Sequence, residues 1–217
     1  MISELIHSTK PKLLSHLFST PNGQEKGIDV VCINLTTRTD RKEKMMDVLK
    51  EYQFRFYHAE PHEIGWKGCY QSHLDVIRWA KQQKLPRILV VEDDILPFRD
   101  LSSIPSAPND ADMIYLGGIC LDIIGDWWKE WTQGRIVCMH AYIVPSHFYD
   151  IFITECEEQT TEKPIDVKLC DCVHARYKVY MLTDPAFVQA ADFSDIDHKH
   201  KWAFYKWPKA GEWCKIP

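Results

Sequence analysis

The chain has 217 residues, 45% of them hydrophobic and 12% aromatic, enough to bury a sizeable core without disulfide staples. Its 26 Lys and Arg against 31 Asp and Glu give a net charge of -5, with no basic tail, which argues against nucleic-acid backbone binding. Apolar runs such as Ile88 to Val91 fall far short of the roughly 18 residues a membrane helix needs.

Met1-Ile2-Ser3-Glu4 lacks the basic start and long apolar core of a signal peptide. Eight cysteines at irregular spacing read as thiols of a reducing compartment, so a cytoplasmic protein is expected. The length suggests one domain with appendages. Residues 1–27, polar from Ser8 to Lys26 and broken by Pro11, Pro21 and Gly23, are expected to be an appendage.

The β-branched run Ile28 to Leu35 reads as a buried strand ending in the polar loop Thr36 to Asp40. Asp40 as N-cap, Glu43 in the first turn and Met45, Val48, Leu49 and Tyr52 on one face predict a helix. Phe54 to His58 is the next expected strand, Gly68 opens a helix through about Gln83, and Arg87 to Val91 is a third strand. Met113 to Leu116, Ile136 to Val144 and Ala186 to Gln189 add strands. The alternation predicts an α/β fold with a mainly parallel, mixed central sheet over 28–197. Ligands of such sheets sit at the carboxyl ends of strands, which directs attention to Asn34 to Arg41, Glu92 to Pro97 and Gly117-Gly118.

Glu92-Asp93-Asp94 places three carboxylates where a buried strand emerges, a costly arrangement without a cation among them. Strand periodicity puts Glu92 and Asp94 on one face, able to share Mg²⁺ or Mn²⁺ through oxygen ligands. A solvated acidic turn is the plain alternative.

In order and spacing, Ile33-Asn34-Leu35 with Arg38 and Arg41, Gly68-Cys69-Tyr70-Gln71-Ser72-His73, Glu92-Asp93-Asp94, Asp112 to Gly118, Ala141 to Ser146, Pro164-Ile165-Asp166 and Val188 to Ala191 before Asp195-Ile196 resemble glycosyltransferase family 25. This family includes galactosyltransferases acting on lipooligosaccharide and on collagen hydroxylysine. The resemblance implies a GT-A-like nucleotide-sugar fold. It also implies metal-dependent transfer of a hexose, galactose first, from a UDP-sugar to a hydroxyl of a glycan or hydroxylysine-type acceptor.

On that resemblance Asp94, Glu92 and Asp93 hold the cation, with His198 a further candidate ligand, and Asn34, Arg38, Arg41, Ser72, His73, Glu92, Asp93 and Gln189 line the donor site. Arg38 and Arg41 offer fixed donor geometry to uracil or phosphate, though Arg41 reads equally well as a first-turn helix residue. Asn34 can instead close its own turn. His73 falls on the apolar side of its helix with Cys69, Val76, Ile77 and Ala80, a structural position first and a functional one second. Asp166, near a helix N-terminus, is the expected general base for an inverting transfer, with plain dipole stabilisation as the alternative.

Two zinc readings fail on the residues. His58-Ala59-Glu60 has no P-C-x-x-C partner, and on a helix Cys172 points away from Cys170 and His174. The rival of another class is an inactive transferase-like module using Trp127-Trp128-Lys129-Glu130-Trp131 as a carbohydrate or protein platform. The aromatic tail, 198–217, is expected to pack on the domain or on a partner, a second copy included.

Overall fold

The computed structural model describes residues 1–6, 8, 14–17, 27–124, 129–157, 162–191, 193–196, 199–200, 204–206 and 213–215. The first strand, β1 (Asp29–Leu35), leads into α1 (Thr39–Val48), β2 (Phe54–Ala59), α2 (Gly65–Gln82) and β3 (Arg87–Glu92). A short β4 (Ile95–Pro97) precedes two long strands, β5 (Met113–Ile124) and β6 (Trp131–Pro145). Two helices, α3 (Tyr149–Glu157) and α4 (Ile165–Cys172), are followed by β7 (Val179–Leu182) and β8 (Phe187–Gln189).

Six strands form the central sheet in the order β2-β1-β3-β6-β5-β7. Parallel pairing joins β1 to β2, β1 to β3 and β5 to β7, while β6 runs antiparallel between β3 and β5. The sheet is therefore the expected mixed, mainly parallel one. Alternate residues of β1 serve its two faces: Val30 and Cys32 join the core beneath α1, with Met45 and Leu49, and Val31 joins the core beneath α2, with Leu74, Val76, Ile77 and Ala80. Each fully buried aliphatic side chain contributes about 1.5–3 kcal/mol, so two-sided burial fixes the register of the central strands.

The expected helix of α1 starts two residues early. Arg38 is the N-cap, and Asp40 is drawn away from capping by hydrogen bonds from Arg38 Nε and Nη2, both 2.9 Å. The second helix begins at Gly65 rather than Gly68 and ends in a Schellman turn, with Leu85 N donating to Ala80 O and Lys84 N to Lys81 O. Lys84 takes the left-handed position at φ 56°.

Gly117-Gly118 is a correction. Instead of forming a loop, the pair lies inside β5, where the pairing with β6 shifts register between Tyr115, Gly117 and Ile119. A Cβ on Gly117 would sit 2.3 Å from Phe187 O and 2.5 Å from His140 Nε2, so glycine is what lets β8 cross this strand. In consequence β4 and β8 form an antiparallel ribbon, Ile95 opposite Gln189, above the end of the sheet.

The front segment is less of an appendage than its composition suggests. Ile2 and Ile6 bridge Tyr57 and Phe54 of β2, and Leu14 and Leu17 are buried in the core under α1. Trp131, expected in an aromatic platform, is buried with Nε1 donating to Ser106 O at 3.0 Å; Trp127 and Trp128 lie outside the described residues. In the tail, β9 (Phe193–Ser194) pairs with β10 (Lys199–His200) and β11 (Phe204–Lys206) with β12 (Trp213–Lys215), and β11 lies against β5 and β8. No helix among the described residues is long and apolar enough to cross a membrane. None of the seven cysteines whose side chains are described is in a disulfide.

Candidate functional site

A cavity of about 220 Å³ opens at the carboxyl ends of β1 and β3, where helix starts and strand ends meet. Its walls come from the end of β1, its loop and the first turn of α1 (Leu35, Thr37, Arg41), the first half of α2 (Gly65, Gly68, Cys69, Ser72, His73), the end of β3 and the turn after it (Glu92, Asp93, Asp94), Gln189 of β8 and the Ser194-Asp195-Ile196 segment. Sequence-distant candidates thus converge: Arg41, Ser72, His73, Glu92, Asp93, Asp94 and Gln189 line one cavity. His198 lies outside the described residues.

The acidic triplet divides its work. Asp93, turned inward, accepts from Arg41 Nη1 at 2.9 Å and from Asn34 Nδ2 at 2.7 Å. Asn34 also donates to Arg38 O at 3.1 Å, so one amide closes the loop after β1 and ties it to the turn after β3. Asn34 thus closes its own turn and is not in the cavity wall, whereas Arg41 is both a first-turn helix residue and part of that wall. Asp93, with both oxygens engaged, is a clamp within the protein rather than a carboxylate held out to a ligand.

Asp94 differs. Its Oδ2 accepts from Gln189 Nε2 at 3.0 Å and lies 3.5 Å from Arg41 Nη1, whereas Oδ1 is buried with no hydrogen-bond partner. Burial first, then the neighbouring Glu92 carboxylate, pushes the Asp94 acid up to about 7, with Arg41 pulling the other way. An orphaned anionic oxygen in a cavity wall is a costly feature that a bound cation would relieve.

Asp195, which the sequence did not single out, completes the electrostatics. Arg38 Nη1 donates to its Oδ2 at 2.6 Å, and Arg41 Nη1 lies 3.9 Å from the same atom. Asp93, Asp94 and Asp195 pair with the guanidiniums of Arg38 and Arg41, Arg38 is shared with Asp40, and Glu92 adds a further carboxylate to the cavity wall, so negative charge is in excess when all are ionised. A bound cation would offset that excess. The turn bearing Asp195 packs so closely on α2 that a Cβ on Gly65 would lie 2.8 Å from Ile196 Cα.

His73 is fully buried, as its apolar helix face predicts, yet its partners are side chains rather than backbone. Nδ1 is 2.9 Å from the Tyr142 hydroxyl and Nε2 is 3.2 Å from Glu92 Oε1. Ser72 turns its hydroxyl back to Gly68 O at 2.8 Å. Nothing in the sequence marked Tyr142, an aromatic in an apolar strand.

Asp166 is not in the cavity wall. In the first turn of α4 it accepts from Val167 N at 2.8 Å and from Cys138 N at 3.0 Å, holding Cys138 in its left-handed conformation, φ 64°. Cys138 lies three residues before Ala141, which pairs with Val91 near the carboxyl end of β3, so Asp166 holds the part of β6 that extends beyond that end. His174 is turned away from Cys170 and Cys172, accepting from Ile136 N at 3.0 Å, and burial pushes it down to about 4.

The strand order and the reversed β6 define a GT-A-like α/β fold. No family model and no curated protein matches the chain. Among solved structures, a glycosyltransferase involved in the glycosylation of the major capsid of PBCV-1 is similar, with a TM-score of 0.54 at 13% identity over 79% of this chain and 96% of that one. A197 from STIV is similar at 0.49 and 12% identity, over 80% of this chain and 92% of that one. The glycosyltransferase GlyE of Streptococcus pneumoniae gives 0.44 and 11% identity over 70% of this chain, which spans 44% of that protein. At these identities what is shared is the fold.

Proposed function

We propose that the protein is a metal-dependent glycosyltransferase that moves a hexose, galactose first, from a UDP-sugar to a hydroxyl of a glycan or hydroxylysine-type acceptor. The observation that carries this reading is Asp94: an unpartnered, buried carboxylate oxygen in a cavity lined by more carboxylates than guanidiniums, at the carboxyl end of β3 of a GT-A-like sheet.

Asp94, with Glu92 beside it, would hold Mn²⁺ or Mg²⁺, whose role when bound is to neutralise the charge that develops on the departing diphosphate. Gln189 orients Asp94 by donating to Oδ2, leaving Oδ1 for the ion. Arg41 and Asn34 act through Asp93, fixing the turn on which Asp94 stands. Arg38, which reaches the cavity edge through Asp195, is the candidate contact for uracil or phosphate. Asp166 is the candidate base on the acceptor side, by its hold on the part of β6 that extends beyond the carboxyl end of β3, and an inverting transfer is the outcome that role entails.

Calorimetric titration of UDP with Mn²⁺, with EDTA and with Asp94→Asn tests the reading. Binding that requires both metal and Asp94 is expected, with donor hydrolysis to UDP as the accompanying activity. UDP binding indifferent to both would remove the cation assignment, and no UDP binding would favour the inactive, carbohydrate- or protein-binding alternative.

A further inference from the structure

A second set of ligands lies in the cavity wall, different in chemistry from Asp94. Among the described residues, one cluster brings together three metal-ligating side chains: the Cys69 thiol, the His73 imidazole and the Glu92 carboxylate, whose ligand atoms all fall within 4.8 Å of one another. Cys69 and His73 are four residues apart on α2, one helical turn, so both project from the same face toward the end of β3, where Glu92 stands. The separations, with His73 Nε2 3.2 Å from Glu92 Oε1, are those of atoms that can share one small ion.

We propose that Cys69, His73 and Glu92 form a binding site for a borderline-soft divalent transition metal of the Zn²⁺ type, which shares the Glu92 carboxylate with the all-oxygen cation site at Asp94 but adds sulfur and nitrogen donors to it. Thiolate and imidazole favour Zn²⁺ and its congeners over Mg²⁺, which takes oxygen donors. The Tyr142 hydroxyl oxygen, 2.9 Å from His73 Nδ1, can accept a hydrogen bond from Nδ1–H when Nε2 binds the metal, the outer hydrogen bond that a ligating histidine normally makes. Binding releases the Cys69 thiol proton to solvent, and three protein ligands leave a coordination position for water or a substrate atom. All three residues line the cavity, so the ion has a route in. The assignment does not depend on sugar transfer.

The test is Co²⁺ titration of the full chain without nucleotide, under a non-thiol reductant, read by absorption. One equivalent is expected to give a thiolate-to-cobalt band in the near ultraviolet together with tetrahedral d–d bands, displaced by Zn²⁺. Cys69→Ser should abolish the charge-transfer band, and Tyr142→Phe should weaken affinity roughly 10-fold or more. A band of equal intensity in Cys69→Ser, or none in the wild type, would overturn the proposal. Alkylation with mass-spectrometric readout applies the same question to the wild type whether or not the variants fold. Zn²⁺ should slow labelling of Cys69 at least several-fold while leaving Cys138, the other half-buried thiol described, unchanged. Equal protection of both, or of neither, would equally overturn it.

Discussion

Arg41 Nη1 and Asp93 Oδ1 lie 2.9 Å apart, both side chains more than nine-tenths removed from water, and join residues 52 positions apart in sequence. This pair anchors the first turn of α1 to the turn that presents Asp94. An ion pair this deep is a poor source of net stability but costly to break, because the surviving charge stays buried without its partner.

Arg41→Met is therefore expected to lose roughly 3–5 kcal/mol of unfolding free energy, well above the typical effect of a point substitution. Urea denaturation followed by circular dichroism measures it. The double variant Arg41→Met with Asp93→Leu should recover part of the loss, since it also removes the Asp93 carboxylate that the single variant leaves buried without its partner.

Asp94 gives the site a pH dependence with a definite sign. Its acid is raised from 3.8 to about 7 in the metal-free protein, so between those values the folded state binds the proton more tightly than the unfolded chain. Its contribution to stability falls as pH rises through that window and levels off above about pH 7. Metal binding runs the other way, because the ion must displace the proton: affinity for Mn²⁺ should drop by up to about tenfold per pH unit below 7. Calorimetry at pH 6 and pH 8 checks both statements, and Asp94→Asn should flatten the metal term.

Asp166 separates two roles by kinetics. Asp166→Asn keeps an acceptor oxygen for Cys138 N, so the fold and donor affinity should survive while kcat falls about 10²–10⁴-fold, the usual contribution of a general base. A variant that loses thermal stability but keeps kcat would confine Asp166 to its hold on the left-handed Cys138 backbone.

Lys84 offers a control away from the site. It occupies the left-handed position of a Schellman turn that glycine fills without Cβ strain, and it is exposed. Lys84→Gly should raise stability by about 0.5–1 kcal/mol with no change in metal or UDP affinity, as read by urea unfolding and calorimetry.

Much of the fold was legible along the chain because local physics sets it. The β-branched runs at Val30 to Ile33 and Ile88 to Val91, the apolar face of α2 and the alternation of strand with helix specify a mainly parallel α/β sheet before any contact is known. Strand periodicity together with the acidic triplet then located the candidate cation site at the carboxyl end of β3. What the chain could not express locally were pairings across long sequence distance. Gly117-Gly118 reads as a loop because nothing nearby reveals that β8 passes within contact of that backbone. The division of labour between Asp93 and Asp94 depends on Arg41, Asn34 and Gln189, which arrive from separate elements, and the Arg38 to Asp195 pair closes across 157 positions. Cys69 and His73 shared a helix face in the sequence, but only the packing of α2 beside β3 brought Glu92 and Tyr142 to them. Composition and periodicity determined which residues face the core; the tertiary structure decided which polar atoms meet, because a hydrogen bond or a ligand set is fixed by distances of a few ångströms between segments that the sequence keeps apart.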